Sequence, residues 1–164
     1  MELLAAEFGL SPSLPWPVLG ARLAGAIVLC GLIGYERETR DRPAGLRTHI
    51  LVGLASTVYC LIVLELIGRD YGQNDAVRLD PIRVVEAVTG GVAFLAAGMI
   101  VFTRGEVKGL TTGAGMWLAA AIGLAVGLGL WPLAVLVTLL SLIVTGLLHR
   151  FEKRYISNED NSGD

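Results

Sequence analysis

The sequence predicts an all-α membrane protein, a polytopic helix bundle of about five transmembrane helices. Hydrophobic residues make up 54% of the 164 positions and gather in long stretches that hold almost no charge. Charged residues make up only 17% of the chain, against about 25% in a typical soluble domain. Because about twenty apolar residues span a bilayer core as a helix, stretches of this length indicate membrane spans. The net charge of −2 gives no sign of a nucleic-acid partner.

Three spans are predicted in the first two thirds of the chain. Charged or helix-breaking residues interrupt the apolar sequence between them and set their limits at about 18–35, 49–68 and 82–102. Asp80 followed by Pro81 is typical of a helix start, because Asp caps the first N–H groups and Pro is tolerated in the first turn.

Two further spans are predicted towards the C-terminus. No Asp, Glu, Lys or Arg occurs between Lys108 and Arg150, which leaves room for two helices. Gly129-Leu130-Trp131-Pro132 predicts a turn between them, so helices 4 and 5 should form a hairpin. The predicted organisation is a lead-in at residues 1–15, a transmembrane domain at 16–150 and a polar cytoplasmic tail at 151–164.

The distribution of Lys and Arg predicts the orientation, because cytoplasmic loops of membrane proteins carry an excess of these residues. One predicted face holds nine of them, in the 1–2 loop, the 3–4 loop and the tail: Arg37, Arg40, Arg42, Arg47, Arg104, Lys108, Arg150, Lys153 and Arg154. We therefore expect the N-terminus outside and the C-terminus inside. An odd number of spans agrees with this expectation, since it places the termini on opposite sides.

Small residues recur on two of the predicted helices. Every fourth position of helix 4 from Thr111 onward is small, a pattern that lets helix backbones approach closely in lipid. The predicted packing residues are Gly91, Gly98, Gly115, Ala119, Gly123 and Gly127. The alternative is a surface at which helices move or two copies associate, and we expect a homo-oligomer, with a dimer favoured.

A charged segment at residues 36–47 separates the first two spans. Three pairs of opposite sign are four residues apart, where helical side chains are neighbours: Glu36 with Arg40, Arg37 with Asp41, and Glu38 with Arg42. Pro43 disfavours helical geometry at Arg42, which weakens the third pair. On one interpretation the segment is a solvated helix end and a topology signal.

The turn that follows carries an Arg and a His back into the membrane. Such a turn can hold a guanidinium against carbonyl groups or against a carboxylate such as Glu36. The predicted functional inner cluster consists of Glu36, Arg37, Gly45, Arg47, Thr48 and His49.

Four ionisable residues lie one or two turns inside the helices on the opposite face: Arg22, Glu65, Arg83 and Glu86. Charges at membrane depth are costly, so they usually pair or line a wet cavity. We predict an ion pair between Arg22 and Glu86, with Arg83 also in reach of Glu86. The alternative is that the side chains extend separately to the lipid headgroups.

No motif indicates a catalytic site, a metal site or a cofactor. The sequence has no Gly-rich phosphate loop after a strand and no His/Cys cluster with metal-ligand spacing. Cys30 and Cys60 lie in apolar segments and should be small buried hydrophobes. A magnesium pathway would need several converging carboxylates or carbonyls, and the arginines at the depth of Glu65 and Glu86 argue against one.

Over about residues 20–150 the chain resembles the MgtC/SapB family of bacterial inner-membrane proteins. The resemblance rests on ordered motifs: GLIGYERE at 31–38, PAGLRTHILV at 43–52, DPIR at 80–83, GVAFLAAG at 91–98, GLTT at 109–112, Trp117, and AIG at 121–123. It implies a multi-pass protein of the inner membrane.

Three departures from the family pattern stand out. Ala93 and Ala96 occupy positions where glycine is usual, and Glu86 stands where an uncharged polar residue is expected. The chain ends in about sixteen polar residues from His149, where many members carry a cytoplasmic α/β domain. We therefore expect a short form, without the activities of that domain.

The resemblance implies a role in adaptation to low magnesium and, in some pathogens, in survival inside host cells. In the best-known members this role involves inhibitory contact with the membrane part of ATP synthase. The leading hypothesis is a non-catalytic regulator that contacts a membrane-protein partner within the lipid bilayer. The open alternatives are a small oligomeric transporter or channel for Mg²⁺ or another ion, and an enzyme acting on lipid headgroups.

Overall fold

The computed structural model describes residues 13–68, 82–103 and 105–160, which form five helices and one two-stranded hairpin. In chain order the elements are α1 (Trp16–Glu38), α2 (Leu46–Gly68), α3 (Ile82–Met99), β1 (Val101–Thr103), β2 (Glu106–Lys108), α4 (Leu110–Leu128) and α5 (Trp131–Asp160). The predicted helix bundle is confirmed. Most of the predicted lead-in, and the Asp80-Pro81 helix start, lie outside the described residues.

Among the described residues, α1, α2, α3 and α4 are long and apolar enough to cross a membrane. The apolar part of α5, Trp131–Leu147, has 17 residues, which is at the lower end of the range that spans a bilayer core. The helix itself continues to Asp160, through residues that were predicted as a polar tail.

The turn between α4 and α5 lies where it was predicted. Gly129 adopts a left-handed backbone, with a φ of 81°, a conformation that glycine reaches at little cost. Its N–H and that of Leu130 bind the carbonyl groups of Val126 and Ala125 at 2.9 and 2.8 Å. These bonds satisfy carbonyl groups at the end of α4 that have no partner within the helix.

The end of α3 differs from the prediction. The helix stops at Met99 instead of continuing to Phe102, and the chain forms the antiparallel β1–β2 hairpin, in which Phe102 pairs with Val107. Aromatic and β-branched residues favour strands. Gly105 and Gly109, with φ of 84° and 91°, allow the chain to reverse and then enter α4. The hydropathy of the sequence did not predict that a hairpin replaces the end of this helix.

The core lies where α1, α2 and α4 meet. The Cys30 Sγ on α1 donates to the carbonyl of Ala119 on α4 at 3.4 Å. The Thr57 hydroxyl on α2 donates to the carbonyl of Gly123 on α4 at 2.8 Å. Cys60 is also buried, so both cysteines lie in the protein interior as free thiols. Outside this core, α3 packs mainly on α4, and α5 packs on α1 and α4.

The small residues of α4 face this core. A Cβ at Gly123 would collide with the backbone of Gly53, and a Cβ at Gly127 would lie 2.7 Å from the Cβ of Cys60. The α2 and α4 backbones are therefore in direct contact, as small-residue faces permit. Gly115 and Ala119 are buried on the same face.

The structure gives Gly91 and Gly98 no comparable role. No described atom lies within 4 Å of the position that a Cβ would take at either residue. The reason is the rotation of α3, which buries Val88, Val92 and Ala96. The two glycines lie on the exposed surface of the bundle.

Candidate functional site

Charged and polar side chains are buried at one end of the bundle, where α1 ends and α2 begins. We call Glu36, Arg37, Arg40 and His49 the neck cluster. Arg37 and His49 are only 9% and 0% exposed. Ionisable groups buried inside a membrane bundle are costly and often mark functional sites, so this cluster is the candidate site.

Glu36 forms the centre of the ion pairs. Its Oε1 lies 2.5 Å from the Nη1 of Arg40, and its Oε2 lies 3.5 Å from the Nε of Arg37. The Nη1 of Arg40 also donates to the carbonyl of Thr145 on α5 at 2.7 Å. The predicted pair between Glu36 and Arg40 is therefore present, and it connects α1 to α5.

His49 lies beside these charges. Its Nδ1 is 2.9 Å from the carbonyl oxygen of Gly45. Because a carbonyl can only accept, Nδ1 carries the hydrogen, and when the ring is neutral Nε2 is an acceptor. Among the described residues, Nε2 has no hydrogen-bond partner. It faces Gly115 on α4, where a Cβ would be 3.2 Å from Nε2 and 3.7 Å from the Arg37 Nε.

Two neighbouring side chains therefore depend on the absence of a side chain at Gly115. The absent side chain leaves room for the imidazole of His49 and the guanidinium of Arg37 against the α4 backbone. Three core helices and α5 thus meet through one set of charged groups. This arrangement can hold the helix ends together.

The other two predicted pairs are not formed. Asp41 has a φ of 51°, which places it past the end of the helix, where it cannot be a helical neighbour of Arg37. The Oε2 of Glu38 accepts a hydrogen bond from the N–H of Leu46 at 2.7 Å, so its carboxylate caps α2 rather than pairing with Arg42. Arg42 lies past the end of α1, as expected because Pro43 disfavours helical geometry at the residue before it.

Arg47 and Thr48 do not join the buried cluster. Arg47 is exposed and Thr48 is half-buried. Since α2 begins at Leu46, His49 and Arg47 are two positions apart and point to different sides of the helix. Arg37 and Arg40 supply the guanidinium groups that were expected from Arg47. Gly45 contributes its carbonyl and its lack of a side chain.

The predicted ion pair between Arg22 and Glu86 is absent from the described residues. The Nη1 of Arg22 donates to the carbonyl of Gly127 at 2.6 Å, while Glu86 is exposed on α3. Glu65 accepts from the N–H of Ser13 at 2.7 Å. Arg83 is exposed. Because α3 packs away from α1, similar depth does not bring Arg22 and Glu86 together.

Sequence reasoning missed two interactions of this site. One is the contact of Arg40 with the α5 backbone, and the other is the capping of α2 by Glu38. The first has no signal in the sequence, since any carbonyl can accept. The second has no local signal either, because Glu38 ends α1 and lies eight residues before Leu46. The described residues contain no group of three or more His, Cys, Asp and Glu side chains that could hold a metal ion.

Comparison with known proteins gives consistent matches. A sequence model of the MgtC family matches residues 23–154. The chain is 38% identical over 136 residues to YhiD of Escherichia coli K12, which its name describes as a candidate magnesium transporter; the match covers 83% of this chain and 63% of YhiD. It is 32% identical over 151 residues to SrpB of Synechococcus elongatus, covering 87% and 81%.

MgtC of Brucella abortus is 38% identical over 128 residues, a match that covers 78% of this chain and 50% of that protein. The chain thus spans half to two thirds of the length of YhiD and this MgtC. No solved structure matches the chain.

Proposed function

This chain belongs to the MgtC family, and from that premise we propose that it is a non-catalytic regulator that acts by helix–helix contact with another membrane protein. It serves adaptation to magnesium limitation or related stress in the bacterial inner membrane. The family resemblance favours the membrane sector of ATP synthase as the partner.

The observation that carries this proposal is the close packing at the middle of the bundle. An ion pathway needs a row of polar groups or a water-filled space across the membrane. In the described residues, the α2 and α4 backbones touch at Gly53 and Gly123, and the Thr57 hydroxyl is bonded to the Gly123 carbonyl. Close packing of this kind favours a static bundle that works through its surface.

The surface of α3 supports contact with another helix. Gly90 and Gly98 have open space beyond their Cα atoms, and Phe94 projects outward with 80% of its surface exposed. A helix with exposed small residues beside a large one offers both close approach and an anchor for a second helix. A partner protein and a second copy of this chain, in a dimer, are both compatible with such a surface.

The proposed orientation places the neck cluster at the cytoplasmic side. It rests on the nine Lys and Arg residues of the 1–2 loop, the 3–4 loop and the C-terminal segment, because cytoplasmic loops of membrane proteins are enriched in these residues.

A transporter is the second candidate function. It is favoured by the buried charges of the neck cluster, which are costly in a membrane unless they serve a purpose, and by the name of the relative YhiD. The cluster would then act as a gate at one end of the bundle.

Proteoliposomes separate the two functions. We expect the purified full chain, reconstituted around a Mg²⁺-sensitive dye, to give no uptake above that of protein-free vesicles. Uptake abolished by Arg37→Gln in the neck cluster but kept by Arg42→Gln, an exposed arginine nearby, would contradict the regulator and support the transporter.

The partner is tested in inverted membrane vesicles. Expression of the chain should lower ATP-driven proton pumping at an unchanged amount of ATP synthase, and the synthase should be recovered with the tagged chain after cross-linking. Unchanged pumping without recovery would exclude ATP synthase as the partner.

A further inference from the structure

An apolar groove of about 910 Å³ runs along the outside of the bundle between α2 and α3. Its floor includes Val52, Ser56, Val88 and Val92, all nearly fully buried. Gly91 on α3 keeps the groove open, since no described atom lies within 4 Å of its Cβ position. The groove lies between two candidate membrane spans, so it opens towards the hydrocarbon of the bilayer. Its volume lies within the range of about 300–1,000 Å³ that ligand sites usually have.

The dimensions of the groove suit a hydrocarbon chain. The α2 lining runs from Leu51 to Val63, which at 1.5 Å per residue is about 18 Å. One leaflet of a hydrocarbon core of about 30 Å is about 15 Å deep. The groove therefore has about the length of one leaflet.

One end of the groove carries a positive charge. Arg83, the second residue of α3, lines the groove where that helix begins. It forms no ion pair with a described residue, and Glu86, three positions later, is exposed and does not line the groove. A guanidinium at the end of a membrane helix lies where lipid headgroups lie, and its planar fork binds phosphate through two hydrogen bonds.

We propose that this groove seats one phospholipid with an anionic headgroup. An acyl chain lies on the floor formed by Val52, Ser56, Val88 and Val92, and the headgroup phosphate binds Arg83. The two features act together, because soluble phosphate lacks the chain and a neutral lipid gains less from the arginine. The site goes beyond the proposed regulatory function and does not depend on it.

Native mass spectrometry of the full chain, released from nanodiscs with equal phosphatidylglycerol and phosphatidylcholine, tests the proposal. We expect one phosphatidylglycerol to be retained per chain, preferred over phosphatidylcholine by about fivefold. That ratio corresponds to about 1 kcal/mol, the contribution of one Lys or Arg near an anionic membrane surface.

Matched variants distinguish binding of the acyl chain in the groove from binding of the headgroup at Arg83. Arg83→Gln should keep a lipid but lose the fivefold preference, whereas Arg42→Gln, which removes an exposed charge elsewhere, should change neither.

Gly91→Leu fills the groove and should abolish retention. Gly90→Leu should retain the lipid, because its Cβ position is equally open but lies outside the groove lining. Ala55→Leu on the α2 wall is a second groove-filling variant, used if Gly91→Leu does not fold.

Several results would overturn the proposal. One is equal retention by Gly91→Leu and Gly90→Leu, and another is a preference for phosphatidylglycerol that survives Arg83→Gln. If sn-glycerol 3-phosphate displaces the bound lipid as strongly as phosphatidylglycerol does, the site recognises the phosphate and not the acyl chain. A lipid-free dimer that Gly91→Leu disrupts would assign the groove to a second copy.

Discussion

The carboxylate of Glu38 connects the end of α1 to the start of α2. Its Oε2 accepts a hydrogen bond from the N–H of Leu46 at 2.7 Å. The first N–H groups of a helix have no partner within the helix, and a negative charge is favourable at that end. Gly45 fits beside this bond, since a Cβ there would lie 2.7 Å from the same oxygen. A single acidic side chain thus joins the two ends of the turn.

Replacing Glu38 by Ala should lower the free energy of unfolding by about 1 kcal/mol, the usual contribution of a helix-capping side chain. Glu106→Ala is the control, because its exposed pair with Lys108 at 3.8 Å should contribute well under about 1 kcal/mol. Unfolding in mixed micelles measures both values. Gly45→Ala should also be less harmful in the Glu38→Ala background, and strict additivity of the two changes would contradict the contact.

At the scale of the elements, the contact between α2 and α4 depends on two glycines. Gly53 and Gly123 bring the two backbones together, and the Thr57 hydroxyl bonds across the contact. The remaining α4 positions of the same face add buried small residues, so the packing continues along the helix. Helices in lipid associate through van der Waals contact and hydrogen bonds of this kind.

Gly123→Ala should force α2 and α4 apart and lower the free energy of unfolding by about 1–3 kcal/mol, the usual cost of overpacking. Gly98→Ala on α3 is the control, because its Cβ meets open space, and its effect should stay within about 0.5 kcal/mol. Thermal unfolding in detergent gives the comparison. Equal effects of the two substitutions would show that the α2–α4 contact is not tight.

At the scale of the whole molecule, the neck cluster holds one end of the bundle. Arg40 reaches α5, His49 lies on α2 and faces Gly115 of α4, and Arg37 lies between them. The opposite end has a different design, in which Arg22 binds the carbonyl of Gly127. The bundle is thus asymmetric along the membrane normal, and its orientation decides which compartment the neck cluster faces.

Cysteine labelling tests that orientation. α1 has 23 residues and a length of about 35 Å, so Ser13 and Arg42 flank opposite ends of it. An impermeant maleimide should label Ser13→Cys in spheroplasts and Arg42→Cys only in inverted vesicles. The native chain is the control, because Cys30 and Cys60 are buried. The reverse labelling pattern would contradict the proposed orientation.

Sequence patterns predicted most of the helices but little of the cluster geometry. The α4–α5 turn was predictable because Gly129 is needed for a left-handed backbone. The early end of α3 was not, because Phe102 and its neighbours are as apolar in a hairpin as in a helix. The pair between Glu36 and Arg40 was predictable from helical spacing. The hydrogen bond from Arg22 to the carbonyl of Gly127 was not, because no spacing in the sequence predicts it.

The sequence by itself determined the membrane class, the number of helices and the small-residue face of α4. These properties depend on composition and periodicity, which are local. Only the tertiary structure decided that Arg37 and His49 are buried while Arg47 is exposed, and that Gly91 opens a groove instead of packing. The physical reason is that the rotation of each helix about its axis, and the choice of its neighbours, follow from the packing of the whole bundle.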